Sequence, residues 1–126
     1  MMPGNIDREH LAHQWYSRPV LFVANITRAA RFYVEQLGFQ KAWHEHDGKG
    51  TVCQVNRAGC EIILCEDPVR RDKARLFVSL TGEGTAELRR ELVERAVSNK
   101  ESWWGYDVVQ IEDPDGNELL FPLGNE

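Results

Sequence analysis

Cysteine is scarce in this chain, and the few present do not pair off. Cys53, Cys60 and Cys65 are odd in number and lack CxxC spacing. That argues against a disulfide framework and reads as free thiols in a reducing compartment. Basic charge is also in short supply, with 15 Lys and Arg against 20 Asp and Glu and a net charge of −5. A protein that tracks phosphates needs a basic face, so nucleic acid is not an expected partner. Long hydrophobic runs are missing as well. No stretch approaches the roughly 20 apolar residues of a membrane span. The opening segment, Met1–Arg18, is polar and has no apolar core of a secretory signal. The expectation is a soluble cytoplasmic protein with no membrane partner.

What is present suits one globular domain. The chain has 126 residues, 42% hydrophobic and 28% charged, enough for a single core. Residues 1–17 read as a polar leader with a short helix near Ile6–Trp15, carrying His10 and His13 as solvated side chains. The domain proper is expected over 18–126.

Pro19–Asn25 is rich in Val and Phe and reads as a strand. Asn25 suits the cap of a following helix, with Ile26, Ala29, Ala30, Tyr33 and Leu37 on one face and Gly38 just past its end. Strands are predicted at Phe39–Glu45, Thr51–Val55 and Glu61–Cys65, with turns at Asp47-Gly48 and Ala58-Gly59. A charged linker covers 67–74. The pattern then restarts. Residues 74–80 read as a strand, and Gly84–Ala96 as a helix with Leu88, Leu92 and Ala96 inward. Leu21-Phe22-Val23 returns as Leu76-Phe77-Val78 at an offset of 55, which also carries Tyr33 to Leu88 and Leu37 to Leu92. The expectation is an α+β fold of two tandem βαβββ modules, at about 18–66 and 74–123, forming a cupped mixed sheet.

Alternation along the strands separates two faces. One parity collects Leu21, Val23, Ile62, Leu64, Leu76, Val78, Leu119 and Phe121, a face that must pack on helices. The other collects Arg18, Val20, Phe22, Glu61, Ile63, Cys65, Arg75, Phe77, Ser79, Glu118 and Leu120. Its mixture of charge and apolar surface reads as a pocket wall, as a dimer interface, or as both.

Residues 103–121, WWGYDVVQIEDPDGNELLF, are the most specific stretch. A strand over Tyr106–Glu112 enters an Asp-Pro-Asp-Gly turn, and Glu118–Phe121 leaves it. Pro114 presets φ, and Gly116 accepts the positive φ that closes the turn. Trp103 and Trp104 put large flat surfaces beside this hairpin. Trp104 reads equally as a ligand wall or as packing, Trp103 as packing.

Together with PVLFVANITRAARFYVEQLGF and GCEIILCE, that stretch resembles the vicinal oxygen chelate superfamily, which spans glyoxalases, dioxygenases and bleomycin-resistance proteins. The resemblance covers about 18–123 and is nearest the bleomycin-resistance branch. Metal enzymes of the superfamily draw one ligand from each of four strands. The matching positions here are Arg18, Ile63, Arg75 and Leu120, two guanidiniums and two aliphatics. None donates to a metal. The resemblance therefore implies a homodimeric small-molecule binder with no metal, no cofactor and no catalytic residue. Each cleft would combine the first module of one chain with the second module of its partner. Trp104 matches the family tryptophan that flanks the ligand, Trp43 or His44 an aromatic wall of the first module, and Phe77 one in the second. Phe22, Ile63 and Leu120 would complete the walls.

Aromatic walls suit planar ligands, and Glu61 and Glu118 suit cations. Arg18 and Arg75 either pair with those glutamates or select an anionic ligand. The alternative is a divalent-metal lyase, isomerase or dioxygenase with altered ligands, with His44 and His46 as donors two apart on one strand face. The short connection Val97–Ser102 points to a truncated strand in the second module.

Overall fold

A computed structural model describes residue 15 and residues 17–70 and 72–123. The expected leader helix, with His10 and His13, lies outside the described residues. The chain divides into two compact units, Met1–Arg71 and Asp72–Glu126.

The first unit begins with β1 (Val20–Val23), which runs into a helix. Asn25 caps that helix: its side chain accepts the Arg28 amide at 2.8 Å. Glu66 accepts the Ile26 amide at 2.9 Å, so a second exposed N–H finds a partner. Helix α1 (Ile26–Arg31) continues as a π-helical turn over Phe32–Gln36. Apolar spacing of four from Tyr33 to Leu37 fits either winding, so the sequence pattern does not reveal the change. Ile26, Ala29, Ala30, Tyr33 and Leu37 are all buried, and α1 packs on the sheet. Arg57 donates to the Leu37 carbonyl at 2.7 Å and so satisfies an exposed helix end.

Three further strands follow: β2 (Gln40–His44), β3 (Val52–Arg57) and β4 (Cys60–Glu66). The sheet order is β1-β4-β3-β2, with β1 parallel to β4 and the other pairs antiparallel. The strand expected to reach Glu45 stops at His44. His46 and Asp47 take φ of 53° and Gly48 takes 88°, a left-handed turn that lifts the chain off the sheet. Glu45 folds back to accept the Thr51 amide at 2.9 Å. A Cβ on Gly50 would run into the Glu45 side chain, so this close approach requires glycine.

The second unit repeats the plan with β5 (Arg75–Phe77), α2 (Gly82–Glu94), β6 (Lys100–Trp103), β7 (Asp107–Glu112) and β8 (Glu118–Pro122). Its order is β5-β8-β7-β6, the same topology. Helix α2 starts two residues before the sequence-based boundary because Thr81 caps it, accepting the Gly84 amide at 3.2 Å. Leu88 and Leu92 are buried as expected. Ala96 is not inward: it takes φ of 53°, closes the helix and is exposed, and Val97 is buried instead. Strand β6 is four residues long and begins at Lys100, inside the stretch Val97–Ser102 read from sequence as a connection.

The Asp-Pro-Asp-Gly turn forms as read, with Gly116 at φ 87°. Its strength comes from two buried polar side chains. Asp113 accepts the Asp115 and Asn117 amides at 2.8 and 2.9 Å and the Asn117 side-chain amide at 3.0 Å. Asn117, 1% exposed, also accepts the Ala74 amide at 2.8 Å, tying the turn to the entry of β5. Truncation strands buried donors and acceptors, each worth about 1–3 kcal/mol. Asn117→Ala is therefore expected to lower unfolding free energy by about 3 kcal/mol in urea titration. A loss below about 0.5 kcal/mol, the range of an ordinary surface change, would contradict this role.

Candidate functional site

The face opposite the buried one carries a polar network in each sheet, and each network centres on a glutamine. In the first unit this is Gln54 on β3, only 4% exposed. Its Oε1 accepts from Arg18 Nη1 at 2.7 Å and from Trp43 Nε1 at 3.1 Å. Its Nε2 donates to Asn56 Oδ1 at 3.0 Å and to Glu61 Oε1 at 3.2 Å. Guanidinium and indole only donate, so the amide orientation is determined. Two bonds accepted and two donated exhaust what a carboxamide can make.

In the second unit the counterpart is Gln110 on β7. It donates to Glu118 Oε2 at 2.8 Å and accepts from Ser102 Oγ at 2.9 Å. The other Glu118 oxygen accepts from Arg75 Nε at 2.5 Å. The expected pairing of Arg75 with Glu118 is thus realised directly. In the first unit, Arg18 and Glu61 share Gln54 as a common partner. In register, Val20, Ile63 and Gln54 align across the first sheet, as Phe77, Leu120 and Gln110 do across the second. Anchored on the glutamines, the repeat has an offset of 57 for Arg18/Arg75 and Glu61/Glu118, and 56 for Gln54/Gln110. The three-residue match at 55 slides along the strand by two, which preserves the face.

Aromatic side chains flank both networks. Trp43 reaches the network face through a register shift between Lys41 and Trp43. His44 does not accompany it: it pairs with buried Cys53 on the opposite parity and helps line a hollow beside α1. There its Nε2 lies 2.9 Å from the Gly50 carbonyl and its Nδ1 3.3 Å from Lys41 Nζ. His46 sits in the left-handed turn with its side chain 79% exposed. The two histidines therefore do not share a strand face. The Arg70 guanidinium sits 4.0 Å above the Phe22 ring and covers that wall. In the second unit, Phe77 meets Trp104 edge-on at 5.6 Å and Tyr106 at 6.4 Å, and all three remain over a third exposed. Trp103 is not a packing residue: it is 70% exposed on β6. Leu120 is fully buried and offers no surface to a ligand. Ile63 is half-buried.

A divalent metal does not fit the four positions that the resemblance assigns to metal ligands, Arg18, Ile63, Arg75 and Leu120. Arg18 and Arg75 bring fixed positive charge and are already bonded to Gln54 and Glu118. Ile63 and Leu120 carry no donor atom. Elsewhere among the described residues, no three His, Cys, Asp or Glu side chains converge. Glu118 has both oxygens engaged, and Glu61 accepts from Gln54, so neither carboxylate is a ready cation receptor.

Gln54 and Gln110 escaped sequence reading, since glutamine is usually a surface residue. The available signal was parity: each lies on the strand face of the arginines and glutamates.

The family model for "Glyoxalase superfamily protein" matches residues 9–125. A search of curated protein sequences finds no match. Among solved structures, the bleomycin-binding protein of Streptomyces verticillus, complexed with copper(II)-bleomycin, superposes with a TM-score of 0.69 at 20% identity, covering 88% of this chain and 97% of that one. A fosfomycin resistance protein from Listeria monocytogenes gives 0.69 at 14% identity, covering 89% and 92%. A lactoylglutathione lyase from Agrobacterium tumefaciens gives 0.66 at 13%, covering 87% and 94%. At these identities the likeness is one of fold.

Burial pushes the Cys53 and Cys60 thiols up, Cys60 to about 11, with the neighbouring Glu61 charge adding to the effect. Thiolate is the reactive form, so both are poor nucleophiles at neutral pH. Site-resolved alkylation at pH 8 is expected to modify Cys60 at least about tenfold more slowly in native than in urea-unfolded protein, with the native rate climbing as pH nears 11. Equal rates would contradict the assignment.

Proposed function

The chain belongs to the glyoxalase superfamily, and within it we propose that this protein binds and sequesters a planar aromatic small molecule, without a metal ion, as a homodimer. One observation carries the reading. The positions that hold metal ligands in the superfamily's enzymes are filled by Arg18, Ile63, Arg75 and Leu120, and both arginines are bonded into side-chain networks.

What remains to meet a ligand is flat and apolar. Trp104, Phe77 and Tyr106 expose ring surface on the second unit, and Trp43 on the first. Aromatic rings stack on planar ligands, while the polar network beside the rings in each unit sets orientation. Exposed apolar surface of this kind also suits association of two chains. Bleomycin bound to a protein of the same fold supports sequestration as a function this fold can carry. The rival reading, a metal-dependent enzyme with altered ligands, draws on His44 and His46, and their separation disfavours it.

Titration with a panel of planar aromatic compounds, bleomycin included, is expected to quench tryptophan fluorescence for at least one member. Trp104→Ala should weaken that binding by about tenfold, the equivalent of about 1.4 kcal/mol. Sedimentation should give twice the chain mass. Absence of quenching across the panel would overturn the reading.

A further inference from the structure

We infer that the network face of the second sheet selects a planar aromatic carboxylate, with Arg75 as the residue that reads the charge. The inference rests on the binding reading above and narrows its ligand class.

Glu118 is the first observation. Its side chain is only 17% exposed, and its two oxygens accept from Arg75 Nε and Gln110 Nε2. Ser102 holds the other end of Gln110, so this arrangement is braced from behind. A cation arriving here must compete with a guanidinium already seated on the carboxylate.

Arg75 is the second. Only its Nε is engaged; among the described residues, its two terminal nitrogens have no hydrogen-bond or ion-pair partner. The side chain is 63% exposed, so those nitrogens are open to solvent. A guanidinium held through Nε alone keeps the paired N–H groups of its far edge, which match the two oxygens of a carboxylate. They can only donate, which excludes an ammonium ligand at that point.

The aromatic flank is the third. The Arg75 guanidinium carbon lies 5.6 Å from the Trp104 ring, and Phe77 packs edge-on against Trp104 at the same separation. Tyr106 completes the group, 6.4 Å from Phe77. An aromatic ring resting on Trp104 and Phe77 places an attached carboxylate at the outer edge of Arg75. Where the superfamily's enzymes set a metal ion, this chain offers a fixed organic cation to an oxyanion.

Calorimetric titration with 2-naphthoate, 2-naphthamide and 2-naphthylmethylamine tests this, since the three share a ring system and differ in charge. Wild-type protein is expected to favour naphthoate over naphthamide by about tenfold or more, and the amine to bind no better than the amide. The double variant Arg75→Gln/Glu118→Gln removes both charges without stranding a carboxylate and should bring the ratio to about one. Glu118→Gln alone frees Arg75 of its counter-charge and should raise the ratio above wild type. Equal binding of the three probes, tighter binding of the amine, or a preference that survives in the double variant would overturn the inference and leave the binding reading standing. Failure of every probe to bind would overturn the inference, and absence of quenching across the broader panel would overturn the binding reading as well.

Discussion

A buried carboxamide must have its hydrogen bonds made, and that requirement organises the network face of the first sheet, around Gln54. Gln54 is nearly sealed from solvent, and leaving its amide unpaired would cost more than any single bond returns. It is satisfied by drawing Arg18, Trp43, Asn56 and Glu61 to one point. Gln110, half-buried, bonds Ser102 and Glu118 in the second sheet, and Glu118 in turn seats Arg75. Gln54 on β3 thereby holds Arg18, just before β1, and Gln110 on β7 braces the Glu118 that holds Arg75 on β5.

The consequence for chemistry is direct. On the proposed reading, the positions where superfamily enzymes place cation-binding side chains are filled here by arginine and aliphatics. Arginine stays charged at any physiological pH, so no change of protonation converts it into a donor. The likeness to a bleomycin-binding protein, a fosfomycin resistance protein and a lyase establishes that the scaffold is shared. It is the side chains on the sheet that distinguish what each one does.

Much of the fold was legible because its signals are local. Asn25 read as a cap and is one; Asp113 to Gly116 read as a turn and forms one; alternation separated Leu21, Ile62, Leu64 and Leu119, all fully buried, from Arg18, Glu61 and Arg75. The misses lay in left-handed turns, in depth of burial and in contacts between strands. His44 and His46 looked like strand neighbours because a left-handed turn through two non-glycine residues has no sequence signature. Ala96 looked inward, but the helix ends at Glu94, Ala96 turns left-handed beyond it, and Val97 takes the buried place. Leu120 looked like a pocket wall, yet parity assigns a face and says nothing of how deeply a residue lies in it. The glutamines were invisible as hubs, since most of their partners lie outside their own strand.

The central claim is that an organic cation, and not a metal ion, stands at the ligand site. Elemental analysis of purified protein, coupled to titration of the tightest aromatic ligand before and after exhaustive EDTA dialysis, tests it most directly. The account predicts substoichiometric Mn, Fe, Ni and Zn and an affinity unchanged by chelation. A bound transition metal near one per chain, with ligand binding lost on its removal and restored on its return, would contradict it.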